Sequence, residues 1–283
     1  MFGISWLCFV VFFNFLCNNT QDLSLENTDT IADNPKQLSR SPTAVRSTSF
    51  ESWEKDHCWR KRELGNRAAY DLLITGAGYS STGFFAKTFT KAGYPVGHER
   101  FGRNSVGISD WLMSSRRNRH SPYKFNHIFL LVRHPLKVLR SAYGTRWDFK
   151  YTSVSGITSD VANDESLLGP EEFGKLAFEF KALEWWLMYT LLGENIAECY
   201  IRNEDISGEL FLNICLRAEL TNCTTKDWAS LQDYSKKYNS HSRKNGKEVT
   251  WEKLESMDKT ESENTVLHHA RQLCLKFYSS EDC

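Results

Sequence analysis

The chain has 283 residues, and its 35 Lys and Arg balance 35 Asp and Glu to a formal net charge of zero. That balance supplies no overall field to draw in nucleic acid or an acidic membrane surface, so no nucleic-acid partner is expected. A mean hydropathy of −0.48 excludes a multispanning membrane protein and fits one sizeable globular domain with extensions. The basic run Arg116-Arg117-Asn118-Arg119 is short and reads as solvated loop.

Phe2 to Cys17 are nearly all apolar, interrupted by Gly3, Ser5 and Asn14. A spanning helix needs about 20 apolar residues, and this run is shorter. It fits the apolar core of a secretory leader that lacks the usual basic start. Residues 1–17 are therefore read as a cleaved signal peptide or a short signal-anchor, the anchor being the one expected membrane contact. Either form sends the rest into the secretory lumen, and a cleaved leader implies secretion. Residues 18–52 are rich in Asn, Thr, Asp, Ser and Gln and read as a flexible luminal stem. Residues 53–283 form the expected folded domain, starting at Trp53.

Of the eight cysteines, Cys8 and Cys17 belong to the leader. Cys58, Cys199, Cys215, Cys223, Cys274 and Cys283 remain, enough for three bridges in an oxidising compartment, with the pairing left open. No Cys/His set has metal-ligand spacing, so no metal is expected. Asn18-Asn19-Thr20 and Asn222-Cys223-Thr224 match the glycosylation acceptor pattern.

Along the domain, Tyr70 to Thr75 is a continuous apolar run ended by Gly76 and reads as a buried strand. Gly76 to Gly83 is a turn of small residues, and Phe84 to Ala92 a helix with Phe85, Phe89 and Ala92 on one face. Gly93 to Gly97 reads as a short strand or turn. Phe125 to Val132 is the next strand and Pro135 to Tyr143 the next helix. Pro170 to Leu192 reads as one long helix opened by its proline. Glu198 to Arg202 is a strand, Ser207 to Leu220 a helix, and Glu263 to Phe277 the last helix. Strands alternating with helices imply an α/β fold, a parallel sheet covered on both faces.

Two places carry chemistry. The turn Thr75-Gly76-Ala77-Gly78-Tyr79-Ser80-Ser81-Thr82-Gly83 joins a strand to a helix, where free backbone N–H groups and the helix dipole hold an anion. Ser80, Ser81 and Thr82 add hydroxyls. The turn is neither a Walker A loop, since no Lys-Ser/Thr pair ends it, nor GxGxxG; a purely structural corner is the plain alternative. Leu130 to Ser141 is the second place. An apolar strand runs into Arg133, Pro135 opens a helix, and Ser141 follows eight residues after the Arg. A guanidinium at a strand end grips phosphate; an Arg capped by a local carboxylate is the plain reading.

Together these residues resemble the sulfotransferases that use 3′-phosphoadenosine 5′-phosphosulfate (PAPS). Arg133, Pro135 and Ser141 are similar to that family's 3′-phosphate segment, and Gly76 to Thr82 to its 5′-phosphosulfate loop, nearest to the Gly-x-Gly-Arg-Ser-Gly-Thr variety. Gly97-His98-Glu99, Ser109-Asp110-Trp111, Glu184-Trp185-Trp186, Tyr200 to Ile206 and Thr250 to Leu254 resemble further elements of that variety in the same order, covering roughly Tyr70 to Tyr278. The resemblance implies a three-layer α/β sandwich of P-loop-like sulfotransferase type and PAPS as donor. It also implies a glycan or secreted-protein acceptor and a Golgi location. Gly76, Gly78, Tyr79, Ser80, Ser81, Thr82, Gly83, Arg133 and Ser141 would bind donor. His98 and Glu99 are the candidate general bases, Glu99 alternatively orienting His98, against the plain readings of a turn histidine held by a carbonyl and an exposed carboxylate. Trp185 and Trp186 are read as core, Asp110 and Trp111 as pocket wall or core, and Glu204 and Asp205 as caps of the following helix.

Two departures stand out. Tyr79 occupies the place of the family's loop Lys or Arg, and Ser81 replaces a Gly. Another cation (Arg100, Arg103 or Lys87) takes over, or the Tyr79 hydroxyl donates instead, or the chain binds without catalysing. A P-loop kinase lacks its Lys-Ser/Thr and magnesium signals here.

Overall fold

The computed structural model describes residues 48–59, 70–99, 101, 104–109, 125–145, 167–220, 223 and 248–283. The expected leader, the stem up to residue 47, both glycosylation asparagines, Arg100, Arg103, Asp110 and Trp111 lie outside the described residues.

Five strands, β1 (Tyr70–Thr75), β2 (Val96–His98), β3 (Gly107–Ser109), β4 (Phe125–Val132) and β5 (Cys199–Arg202), form one sheet in the order β2-β3-β1-β4-β5. Every pairing is parallel. A fully parallel sheet needs cover on both faces, and strand alternation supplies an apolar surface to each. Leu73, Ile128, Leu130 and Val132 point to one core, while Leu72, Ile74, Phe129 and Leu131 point to the other. The first core is covered by α3 (Pro135–Thr145), α4 (Pro170–Lys175), α5 (Phe178–Ile196), α7 (Trp251–Glu255) and α8 (Glu261–Phe277). The second is covered by α1 (Thr48–His57), α2 (Thr82–Lys91) and α6 (Gly208–Arg217). The result is a three-layer α/β sandwich. Trp185 and Trp186 are fully buried in the first core.

Four details differ from the sequence expectation. The helix α1 begins ahead of Trp53, inside the segment read as stem, because Phe50 is 1% exposed and belongs to the second core. Strand β3 was not expected, since three residues are too few to show a period. The single helix expected over Pro170 to Leu192 is two, α4 and α5. Leu176 and Ala177 between them are extended, and the Ala177 N–H donates to the Glu263 carboxylate of α8 at 2.8 Å. Gly174 in the last turn of α4 weakens the helix locally, and this tertiary contact holds the break open. Finally, Ser207 caps α6, its hydroxyl accepting from the Leu210 N–H at 3.1 Å. Glu204 and Asp205 form a 3-10 turn instead, with Asp205 on Arg202 and Glu204 turned to α3.

Three disulfides join Cys58 to Cys199, Cys215 to Cys223 and Cys274 to Cys283, as suits an oxidising compartment. Among the described residues no helix is long and apolar enough to cross a membrane. Around Cys58–Cys199 lies a buried charge network. His127 Nδ1 meets Glu198 Oε1 at 2.8 Å, and Arg217 spans Glu198 and Glu54. The bridge spans a sequence separation of 141. Replacing Cys58 and Cys199 together by Ala therefore releases a long loop and lowers stability by about 2–5 kcal/mol, read as a fall in the urea midpoint of the full chain.

Candidate functional site

The site lies at the C-terminal edge of the sheet, where ligands of open α/β sheets bind. Strand β1 ends there at Thr75, and the loop to α2 begins with Gly76. A Cβ at Gly76 would stand 2.1 Å from the Leu131 carbonyl oxygen, and one at Gly78 would stand 2.3 Å from the Trp185 indole. The two glycines thus let the loop press onto β4 and α5. Their closeness is to protein. Tyr79 and Ser81 hold φ values of 64° and 71°, the left-handed region, at a cost of about 1–2 kcal/mol each for a side-chain-bearing residue. The position of Ser81 is one where a glycine would be unstrained. Ser80 N–H closes the turn on the Ala77 carbonyl at 3.2 Å, and the Phe84 and Phe85 N–H groups donate to the Ser81 carbonyl.

Strand β4 brings Arg133 to the same edge beside β1, and α3 follows. One guanidinium nitrogen, Nη1, donates to the Tyr79 carbonyl at 2.7 Å and to Ser141 Oγ at 3.1 Å. Ser141 in turn donates to the Lys137 carbonyl at 3.0 Å, so its lone pairs face the Arg. Arg133, the loop and Ser141 are therefore brought together as expected. Among the described residues no carboxylate forms an ion pair with Arg133, which removes the plain reading of a locally capped Arg. Burial lowers the Arg133 pKa from its ordinary value, and the more distant Glu204 and Tyr278 partly restore it. Its Nε has no partner, and neither have the buried hydroxyls of Ser80, Thr75 and Ser109. Buried polar groups are normally hydrogen-bonded. These four lie on neighbouring strand ends and the loop and are closed to solvent in this conformation, so they mark unmet polar capacity behind the site's surface.

Trp186 fixes this corner by donating from Nε1 to the Arg133 carbonyl at 2.9 Å. Glu204 accepts the His134 backbone N–H at 3.3 Å, the Lys137 ammonium at 3.1 Å and the Tyr278 hydroxyl at 2.7 Å. Burial alone would push the Glu204 carboxyl up; Tyr278 and Lys137 outweigh it and hold the carboxyl below its usual range. These supports escaped the sequence reading. Glu204 and Tyr278 meet α3 only through tertiary folding, and Thr75 and Ser109 are ordinary strand residues until the register aligns their strands.

His98 ends β2, two strands from the loop, yet the start of α2 reaches it. Thr82 Oγ1 lies 3.2 Å from His98 Nε2, and a Cβ on Gly83 would come within 3.2 Å of the ring. Glu99 Oε1 is 3.9 Å from Nε2, in a left-handed turn with φ 60°. The His98 and Glu99 side chains are 41% and 53% exposed, open to an incoming acceptor. Ser109 pairs with His98 across β2 and β3. The expected base, the loop and the guanidinium thus occupy one edge, bridged by Thr82. Lys87 lies on α2 within the described residues.

No protein-family model matches the chain, and no curated protein or solved structure matches it. If Ser81 is strained, Ser81→Gly should stabilise the chain by about 0.5–1 kcal/mol, the relief of strain less the backbone entropy of glycine. The measurement is the thermal midpoint, expected to rise by roughly 1–4 °C, while the β-branched Ser81→Val lowers it.

Proposed function

We propose that this chain transfers a sulfuryl group from PAPS to a hydroxyl or amine of a glycan or secreted acceptor in the secretory pathway, within a P-loop-like sulfotransferase fold and in the Golgi. The observation that carries the proposal is the half-buried Arg133 guanidinium, which has no carboxylate partner among the described residues and touches the strained loop and Ser141 at once. The sequence resemblance and the disulfide-forming compartment support it further.

The donor supplies an activated sulfuryl group, whose bond to the phosphate oxygen breaks as the bond to the acceptor forms, with the electron pair leaving on adenosine 3′,5′-bisphosphate. The residues of the chain have four tasks. Arg133 and Ser141 grip the 3′-phosphate, the guanidinium as a charge-assisted donor. The loop N–H groups, with the hydroxyls of Ser80, Ser81 and Thr82, hold the phosphosulfate at the N-terminus of α2. Tyr79 offers a phenol where relatives carry a cation, so charge neutralisation falls more heavily on the loop dipoles. His98 takes the acceptor's proton. In the tautomer whose Nε2–H donates to Thr82, the lone pair of Nδ1 is left for that proton, and Glu99 lies close enough to stabilise the imidazolium.

Binding to immobilised adenosine 3′,5′-bisphosphate tests the donor site. Losing hydrogen bonds from a charged group costs about 1.5–3 kcal/mol, so Arg133→Ala should bind at least about tenfold more weakly than the natural chain. Equal retention of the two would overturn the assignment.

A second reading, a luminal binding protein without catalysis, rests on Tyr79. Its side chain replaces the loop cation and packs toward Trp185, ring centroids 6.4 Å apart. Transfer of labelled sulfate to a mixed panel of glycans and secreted proteins separates the two. The first reading expects transfer by the natural chain. A silent natural chain that gains transfer on Tyr79→Arg would establish the second.

A further inference from the structure

A phosphate monoester carries about −1.5 to −2 charges at neutral pH. The proposed 3′-phosphate cradle sets one guanidinium and one hydroxyl against it, Arg133 and Ser141. A single cation leaves much of that charge unmatched, and the helix that carries Ser141 brings a second one close.

Lys137 stands one turn before Ser141 on α3, and its carbonyl accepts the Ser141 hydroxyl at 3.0 Å. The two side chains therefore share a face of the helix, about 6 Å apart along its axis. Helical side chains lean toward the N-terminus, which for Lys137 is the end of β4. The ammonium is found there: Nζ lies 3.1 Å from Glu204 Oε1, and the same oxygen accepts the backbone N–H of His134 at 3.3 Å. His134 directly follows Arg133.

This ammonium can be redirected at small cost. The Lys137 side chain is 53% exposed, and exposed ion pairs contribute little. Glu204 would not be stranded, because the Tyr278 hydroxyl and the His134 N–H still donate to it. Arg202, the basic residue at the end of β5, lacks that freedom, since Asp205 and the Phe277 carbonyl both hold it. A phosphate offers Lys137 a stronger, charge-assisted bond than an exposed carboxylate does.

We infer that Lys137 is a specificity-determining residue for the 3′-phosphate: its ammonium turns from Glu204 to the phosphate held by Arg133 and Ser141, so that the site separates a 3′,5′-bisphosphate from a 5′-phosphate. The inference rests on the donor-site reading and extends it from where the nucleotide sits to which nucleotide is kept.

Calorimetry of the full disulfide-bonded chain with adenosine 3′,5′-bisphosphate and with adenosine 5′-phosphate tests it. Lys137→Met keeps the apolar stem and removes the charge. It should weaken the bisphosphate about tenfold, the lower end of a charge-assisted bond, and change the 5′-phosphate less than about twofold. Salt should shrink the difference. Lys175→Met removes the same charge from an exposed lysine of α4 and should bind both nucleotides as the natural chain does. In a Glu204→Gln background, Lys137→Met should still weaken the bisphosphate. Thermal melting verifies that each variant is folded. Equal loss for the two nucleotides, or no loss in the Glu204→Gln background, would overturn the inference; the second result would mean that Lys137 merely offsets the carboxylate. Natural affinity in Lys137→Met beside weak binding by Arg133→Ala overturns the inference and leaves the donor site standing. Natural affinity in both variants overturns the two together.

Discussion

A half-buried guanidinium paired with no carboxylate among the described residues is the constraint on which the site depends. Arg133 cannot shed its charge, and burial makes that charge expensive. The surrounding groups are arranged to bear it: the Tyr79 carbonyl and the Ser141 hydroxyl receive one nitrogen, and Trp186 anchors the Arg133 backbone. To turn its carbonyl toward Arg133, the loop carries Tyr79 in the left-handed region, with Ser81 in the same region at the start of α2. The strain of the loop and the exposure of the cation to a ligand are thus two aspects of one arrangement. Strain of this kind persists only where the surroundings over-determine it. Here the surroundings are the tight seats of Gly76 on β4 and Gly78 on Trp185.

The rest of the molecule keeps that corner in place. Glu204 joins the end of β5 to the start of α3 and, through Tyr278, to the end of α8. The chain beyond α8 returns to the same region, where the Asp282 carbonyl meets His134 Nε2 at 2.9 Å and the Trp251 indole at 3.1 Å. His134, whose pKa burial lowers, follows Arg133 directly. The group of His134, Cys274 and Cys283 has the compactness of a metal site, but its two sulfurs are bonded to each other and offer no thiolate.

What could be read from the sequence was local. The strands β1 and β4 coincide with their apolar runs, because a strand buried on both faces is a block of Leu, Ile, Val and Phe that needs no partner to be recognised. The spacing of Arg133 and Ser141 was likewise legible, since two helical turns return a hydroxyl to the same face about 9 Å along, within reach of the long Arg side chain. What escaped depends on distant chain. The break at Leu176 and Ala177 is held by Glu263, a partner 86 residues away. Glu204 sits ahead of one helix in sequence and serves another in space. The pairing of Cys58 with Cys199 follows from where α1 packs against β5, which no spacing rule conveys. In the site itself the residue types were visible, but the role of the glycines was not. A glycine beside a phosphate and a glycine beside an indole look identical until the indole is placed.

The Cys58–Cys199 link also has a temporal side. The ribosome delivers Cys58 long before Cys199, which lies 141 positions later, and the short Cys215–Cys223 and Cys274–Cys283 pairs follow. Throughout that interval the first thiol is without its mate, and β5, the strand bearing it, joins the sheet last. No cysteine lies between the two, so oxidation that runs ahead of synthesis pairs Cys58 only with a leader cysteine or a thiol of another molecule, and thiol–disulfide exchange is what undoes such a knot. Production of this protein thus depends on a compartment able to reshuffle bridges as well as make them.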